Sequence, residues 1–135
     1  MYTKKDLLKW CNESYCLEAV DQNGNTLQYI NNQTVPICLI SVNQDGCNLQ
    51  YVKNQTDKIC LEAVKQDEMA LRYINNQTEK MCLKAVKQNG YALRYVQNQT
   101  EELCLEALIQ NPESIQYINI QKYPEIYEKY VFMMK

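Results

Sequence analysis

A repeat of 22 residues runs without insertion through most of this 135-residue chain. It is marked by five cysteines, each followed by Leu, at Cys16, Cys38, Cys60, Cys82 and Cys104. The same register carries a Tyr in every unit, at Tyr29, Tyr51, Tyr73, Tyr95 and Tyr117. Self-similarity at a fixed period indicates units that bury their apolar faces against their neighbours. The repeat therefore predicts an all-α fold, an α-α superhelix or solenoid of about five such units.

The first half of each unit has the pattern of a short amphipathic helix. Thr56 is a suitable N-cap residue because its hydroxyl can accept a backbone N–H of the first turn. The apolar residues that follow lie on one face of a helical period, at Ile59, Cys60, Ala63 and Val64. Glycine in the left-handed conformation is predicted to end this helix, at Gly24, Gly46 and Gly90. Two units carry Glu68 and Pro112 there, so this turn accepts more than one geometry.

The second half of each unit is predicted to be another helix, so that a unit is a helix-turn-helix. In the third unit its apolar residues again share one face, at Ala70, Leu71, Tyr73 and Ile74. Eight residues barely support two α-helical turns, and a short 3-10 helix is the open alternative. A β-strand is disfavoured because apolar and polar residues never alternate for more than a few positions.

The two ends resemble partial repeats and are predicted to be caps. Leu7 and Leu8 take the register positions of Tyr29 and Ile30, Asn12 replaces the capping Thr, and Trp10 is expected to cover the first layer. At the other end Ile126 takes the Cys position, and Pro124 lies in the opening turn of a helix. We therefore predict one repeat domain over residues 1–135, with a half-repeat cap at 1–11, five repeats at 12–121 and a capping helix at 122–135.

The block CLEAVKQDEMALRYINNQT, and its relatives from residue 16 to residue 121, resembles a known repeat. Repeats of this length occur in many copies in proteins of giant amoeba-infecting viruses of the mimivirus group, in a family of unknown function. The resemblance implies an α-solenoid and a viral origin. It carries over no catalytic residue, because the family offers none.

The seven cysteines do not form a recognisable reactive or metal site. The chain has no His and no C-x-x-C motif, which zinc sites and activated thiols usually require. Packed helices lie about 8–10 Å apart, whereas a disulfide needs Cα atoms within about 7 Å, so cysteines of adjacent repeats should not bridge. The five repeated cysteines are interpreted as small buried apolar residues, while Cys11 and Cys47 are candidates for exposure. We expect no cofactor, no metal and no enzymatic activity.

Charge and hydropathy narrow the classes of partner. A net charge of -2 argues against nucleic acid or an anionic membrane as the main partner. The chain contains no apolar run of about 20 residues and no signal-like start. It is therefore expected inside the cell, in the host cytoplasm or the virion, and not secreted.

The outer face of the second helix is the candidate partner-binding surface, because its residues vary between units while the core does not. The candidate residues are Gln28, Gln50, Lys53, Arg72, Asn75, Arg94, Gln97 and Gln116. This row predicts a protein-protein interaction module or scaffold. The alternatives are a self-associating structural component that forms a homo-oligomer, a single-stranded nucleic-acid binder that stacks bases on the Tyr residues, and a merely solvated polar face.

Overall fold

The structure is a computed structural model that describes residue 1, residues 3–9 and residues 11–135. Over these residues the fold is all-helical, with seven α-helices, five 3-10 helices and no β-strand. The α-helices are α1 (Lys4–Lys9), α2 (Glu13–Gln22), α3 (Val35–Gln44), α4 (Asp57–Gln66), α5 (Glu79–Gln88), α6 (Glu101–Gln110) and α7 (Ile126–Met133). The 3-10 helices are η1 (Gly24–Tyr29), η2 (Gly46–Tyr51), η3 (Glu68–Tyr73), η4 (Gly90–Tyr95) and η5 (Pro112–Tyr117).

Each repeat is an α-helix of ten residues followed by a 3-10 helix of six. The open choice for the second helix is thus resolved in favour of 3-10. In the fourth repeat the side chain of Asn89 accepts the backbone N–H of Tyr91, and its carbonyl accepts that of Ala92 at 2.9 Å, which starts the tighter helix. The helix ends at Val96, whose φ of -73° and ψ of 120° belong to extended backbone.

Threonine caps most of the first helices, as the sequence predicts. The hydroxyl of Thr56 accepts the backbone N–H of Ile59 at 3.3 Å, and Thr78 and Thr100 do the same for α5 and α6. Asn12 caps α2 by accepting the N–H of Tyr15 at 2.9 Å, which confirms its place in the register. Thr34 is the exception: it makes no cap hydrogen bond, and its hydroxyl donates to Glu13 instead.

The predicted left-handed glycines are wrong. No glycine in the described part of the chain has a positive φ, and Gly24, Gly46 and Gly90 each begin a 3-10 helix. The turn is made by the residue before the glycine, as at Asp45 with φ -151° and ψ 115°. Glycine is needed for space, since a Cβ on Gly46 would lie 2.3 Å from the carbonyl oxygen of Ala63 in the next repeat. The backbones of these adjacent repeats approach each other closely at this point.

The chain divides into two compact units, Met1–Asn75 and Asn76–Lys135. In the first unit α2, α3 and α4 pack in succession, as do η1, η2 and η3. In the second unit α5 packs on α6, α6 on α7, and η4 on η5. Within each unit, α-helices therefore pack on α-helices and 3-10 helices on 3-10 helices, which is the packing of a helical-repeat fold. The assignment of residues 1–135 to one domain stays a prediction.

The repeated cysteines form part of the core, as expected. Cys16, Cys38, Cys60, Cys82 and Cys104 are all buried. Burial disfavours the charged thiolate and raises the pKa of Cys38, Cys60, Cys82 and Cys104 to about 11. These four thiols are free, which agrees with the prediction that adjacent repeats are not bridged. Sequence reasoning did not anticipate that Cys16 is joined to Cys11 by a disulfide, with Cα atoms 6.1 Å apart.

Both ends follow the predicted register. Leu8 is 1% exposed, as is Ile30 one period later, whereas Leu7 is 54% exposed. Ile126, at the Cys position of the last helix, is also buried. The predicted covering role of Trp10 lies outside the described residues. None of the described helices combines the length and hydropathy that a membrane span requires.

Candidate functional site

The 3-10 helices position the candidate row because they bury one side and expose the other. In η3 the side chains of Ala70 and Leu71 are fully buried, Tyr73 is half-buried and Arg72 points to solvent. The same alternation in the other repeats exposes every candidate residue, namely Gln28, Gln50, Lys53, Arg72, Asn75, Arg94, Gln97 and Gln116. Gln28, Gln50, Lys53, Arg72 and Asn75 belong to the first unit, and the other three belong to the second.

Three glutamines of the row bond to their own helix. The side-chain amides of Gln28, Gln50 and Gln116 each donate to the backbone carbonyl three residues earlier, at 3.1 Å. This contact holds each carboxamide against the surface of the helix that carries it. These residues therefore present an ordered amide edge at the surface.

The two arginines of the row stack on the tyrosine that follows them. The guanidinium carbon of Arg72 lies 4.6 Å from the ring centroid of Tyr73, and Arg94 has the same geometry over Tyr95. Each guanidinium also hydrogen-bonds to the hydroxyl of the tyrosine beneath it. In the second unit the hydroxyls of Tyr95 and Tyr117 both raise the pKa of Arg94, so this side chain stays charged. One face of these Tyr rings is thus covered by a cation, as in cation–π pairs elsewhere.

Tyr91 extends the aromatic surface of the second unit. Its hydroxyl donates to Glu113 at 2.5 Å, and this hydrogen bond is the main reason that the pKa of Tyr91 is raised. Its ring meets the ring of Tyr117 edge to face, with centroids 5.9 Å apart. The pair links η4 to η5 on the same side as Arg94.

The glutamine of each Asn-Gln-Thr triplet connects adjacent repeats, a role that sequence reasoning missed. Gln55 donates to the backbone carbonyl of Tyr73 at 2.8 Å and accepts the backbone N–H of Asn75 at 3.0 Å. The same pair of bonds is made by Gln33 to Tyr51 and Lys53, by Gln77 to Tyr95 and Gln97, and by Gln99 to Tyr117 and Asn119. The invariance of this Gln in four repeats was the available signal. Lys53, Asn75 and Gln97 are therefore fixed through their backbone while their side chains face outward.

A shallow pocket adjoins the row in the second unit. Its volume is about 270 Å³, and its lining includes Gln97, Asn98, Asn119 and Lys122. The ammonium of Lys122 donates to the backbone carbonyl of Gln99 at 3.1 Å. Amide groups therefore line part of its wall, and one cation lies at its edge.

Cationic side chains lie at the exposed ends of several 3-10 helices. In the first unit Arg72 lies in the last turn of η3 and Lys53 follows η2; in the second unit Arg94 lies in the last turn of η4, and Lys122 lies in the turn that follows η5. Lys53 reaches the carbonyl of Asn31 in the preceding repeat at 3.3 Å. Such a surface can pair with carboxylates and can accept backbone or side-chain polar groups.

Asp45, Cys47 and Asp67 bring three ligand-type atoms within 4.8 Å of one another. Both aspartates are helix caps, since Asp45 accepts the N–H of Cys47 and Asp67 accepts that of Met69. The Cys47 thiol donates to Asp67 at 3.4 Å, and burial raises its pKa to about 11. Capping of η2 by Asp45 and of η3 by Asp67 accounts for the positions of both carboxylates.

Part of the repeat region matches the model of a known protein family. Residues 57–100 and residues 78–122 each match a family model described as a domain of unknown function, DUF4116. Each match spans two of the repeats, and the two are offset by about one repeat, as expected for a repeated sequence. No curated protein and no solved structure matches the chain. Residues 57–122 of this chain are therefore similar to a family of unknown function.

Proposed function

We propose that this chain is a non-enzymatic helical-repeat module that binds a protein partner through the outward face of its 3-10 helices. The observation that carries the proposal is the stacking of Arg72 on Tyr73 and of Arg94 on Tyr95. Stacking orders a long side chain before any partner arrives, which lowers the entropy cost of binding. The partner segment is expected to be rich in Asp and Glu.

The chemistry of the row supports an acidic segment. A guanidinium has five N–H donors in a planar fork, so a bond to one Tyr hydroxyl is compatible with a bidentate contact to a carboxylate. The neighbouring side chains Lys53 and Asn75 in the first unit, and Gln97 in the second, supply further donors. An extended peptide would meet both amides and cations along the face of each unit.

Selection from a random peptide library tests this proposal and does not require the partner to be identified. Peptides displayed on phage are selected on the immobilised full chain, and enriched sequences are expected to contain several Asp or Glu residues. Their affinity should fall by about 10-fold or more in the double variant Arg72→Glu, Arg94→Glu, because each reversal replaces an attraction with a repulsion.

The matched control is the double variant Lys65→Glu, Lys87→Glu. It makes the same change of net charge, at equivalent positions on the α-helices of the same two repeats. Peptide affinity should be nearly unchanged in this control. Equal losses in the two variants would indicate general electrostatics, and enrichment of neutral or basic peptides would contradict the proposal.

A second candidate function is self-association through the last helix. Phe132 is 80% exposed on α7. Beside it lies a groove of about 480 Å³ that is lined by Leu105, Phe132 and Met133 together with Glu128 and Lys129, and its exposed surface is mainly apolar. Exposed apolar surface of this kind often marks an interface between subunits. Light scattering should then show a concentration-dependent dimer that Phe132→Ser abolishes, and a monomer at all concentrations would exclude this candidate.

The resemblance of the repeats supports a cellular location, and the charge bears on single-stranded nucleic acid as the remaining alternative partner. We propose an intracellular location, in the host cytoplasm or the virion, on the strength of the resemblance to repeats of giant viruses. Single-stranded nucleic acid is tested beside the peptides with a labelled oligonucleotide. Tight, salt-dependent binding of that probe, lost in the arginine variant, would favour nucleic acid over protein.

A further inference from the structure

Cys11 occupies a position that belongs to glutamine in the rest of the repeat. It lies one period before Gln33, and like Gln33, Gln55, Gln77 and Gln99 it comes five residues before the repeated cysteine. The repeated cysteine of the first repeat is thus preceded, at this spacing, by a second sulfur, whereas those of the later repeats are preceded by a carboxamide. No other part of the chain has two cysteines in this relation.

The glutamine position lies against the repeated cysteine in the four later repeats. The thiol of Cys82 donates to the carboxamide oxygen of Gln77 at 3.4 Å, and that of Cys104 to Gln99 at 3.8 Å. The corresponding distances in the second and third repeats are 3.9 Å and 4.0 Å. A cysteine at this position is therefore held next to the repeated thiol by the ordinary geometry of the repeat.

In the first repeat the same geometry places Cys11 next to Cys16, and a disulfide joins the two. Their Cα atoms are 6.1 Å apart, inside the range of about 4.4–6.8 Å that a disulfide requires. Cys16 is 1% exposed, whereas Cys11 is only partly buried. Cys11 is therefore the more accessible residue of the pair.

None of the other five cysteines has a second cysteine at this spacing, and four of them are buried. Cys38, Cys60, Cys82 and Cys104 are buried and have glutamine as their neighbour. Burial raises the pKa of these thiols, so few of them are thiolate at neutral pH. Cys47 is half-buried and its thiol contacts Asp67.

We propose that Cys11 and Cys16 form a reversible thiol–disulfide site that exchanges with small thiols and disulfides of the glutathione class. In oxidation the Cys11 thiolate attacks one sulfur of the small disulfide, and its S–S bond breaks to release one thiol. The Cys16 thiolate then attacks the Cys11 sulfur of the mixed disulfide and releases the second thiol. Overall one protein dithiol and one small disulfide become one protein disulfide and two small thiols, so that protons and electrons balance.

The state of this disulfide affects how firmly α1 is held in place. Leu8 of α1 is buried, α1 packs on η1, and Lys5 of α1 lies 4.7 Å from the ring centroid of Tyr29. The disulfide adds a covalent link between the segment that leaves α1 and the helix α2. Reduction leaves α1 held by these noncovalent contacts alone, and its backbone amides should then exchange faster.

The test uses the full chain with Cys47→Ser, which removes the other partly buried thiol and keeps a hydroxyl donor toward Asp67. The protein is equilibrated in glutathione buffers of graded thiol-to-disulfide ratio, quenched with acid, alkylated after unfolding and analysed by peptide mass spectrometry. Cys11 and Cys16 should lose and regain their thiols together as a two-electron couple. Cys38, Cys60, Cys82 and Cys104 should stay reduced throughout.

The control variant Cys11→Gln restores the residue that four other units carry, and it should fold with an unchanged helical spectrum. It should contain no disulfide, and its α1 amides should exchange at one rate in oxidising and reducing buffer. In the parent protein that rate should be at least about 5-fold higher after reduction. The proposal would be overturned by a stable glutathione adduct on Cys11 or by pairing of Cys11 with another cysteine. Oxidation of all thiols over the same range of thiol-to-disulfide ratio would also overturn it.

Discussion

The side-chain amide of Gln55 donates a 2.8 Å hydrogen bond to the backbone carbonyl of Tyr73 in the next 3-10 helix. Its oxygen accepts the backbone N–H of Asn75, two residues further on. One side chain thus satisfies two main-chain groups at the place where the 3-10 helix gives way to extended backbone. The main-chain groups at the end of this helix have no partner within it, and a neighbouring repeat supplies one.

Gln55→Ala should therefore lower the free energy of unfolding by about 1–3 kcal/mol, because it leaves a donor and an acceptor without this partner. Urea denaturation measures the change, and hydrogen exchange of the Asn75 amide should become faster. Gln66→Ala is the control, since Gln66 is exposed at the end of α4. A loss no larger than in the control would contradict the connecting role of Gln55.

Gly46→Ala should also be destabilising, by about 1–3 kcal/mol, because the new Cβ would meet the carbonyl oxygen of Ala63. Gly24→Ala is the matched comparison. At Gly24 the atom nearest to a new Cβ would be the side-chain amide nitrogen of Asn48, at 2.8 Å, and a side-chain end can move. Thermal unfolding should rank Gly46→Ala well below Gly24→Ala, and the reverse order would show that backbone approach does not explain these glycines.

Two serines should respond in opposite ways to the same substitution. Ser114 is fully buried, and its hydroxyl has no hydrogen-bond partner among the described residues. Ser114→Ala should raise the free energy of unfolding by about 1 kcal/mol, since it removes a polar group that lost its water. Ser41→Ala should lower it by a similar amount, because the Ser41 hydroxyl donates to the carbonyl of Gly24 at 2.8 Å. Denaturation curves that shift in the same direction would contradict this account.

The buried thiols predict a loss of stability at high pH. Burial raises the pKa of Cys60 to about 11 from a usual value of 9.0, so the folded state holds its proton more tightly than the unfolded state. The stabilisation relative to Cys60→Ala is complete below about pH 9 and declines as the pH rises toward 11. The free energies of unfolding of the two proteins, measured over this range, should converge. A constant difference would indicate a thiol with an ordinary pKa.

The sequence was enough to predict the repeat, the first helices and the core. The period of Cys60 with Ala63 and Val64 identified a buried face, and Thr56 marked the helix start, since both signals are local. The register also placed Leu8 and Ile126 in the core at the two ends. These residues act within one helix or at equivalent places in successive helices.

Contacts between repeats could not be predicted in the same way. The role of Gly46 depends on where the backbone of Ala63 lies, and that distance follows from the stacking of whole repeats. The conformation of the second helix depends on Asn89 and its equivalents accepting N–H groups two residues later, which favours a 3-10 start over an α start. Sequence reasoning placed Arg72 and Arg94 at the surface but did not foresee their stacking on the next Tyr.

The Gln99 side chain joins the next repeat through main-chain atoms of Tyr117 and Asn119, and those atoms are the same in every amino acid except proline. Exchange of the outward side chain at such a position leaves the connection between layers intact. A combinatorial library randomised at Lys53, Asn75 and Gln97 should therefore retain the fold in most of its members. Side chains at these positions can therefore differ between repeats without loss of the hydrogen bonds that join one repeat to the next.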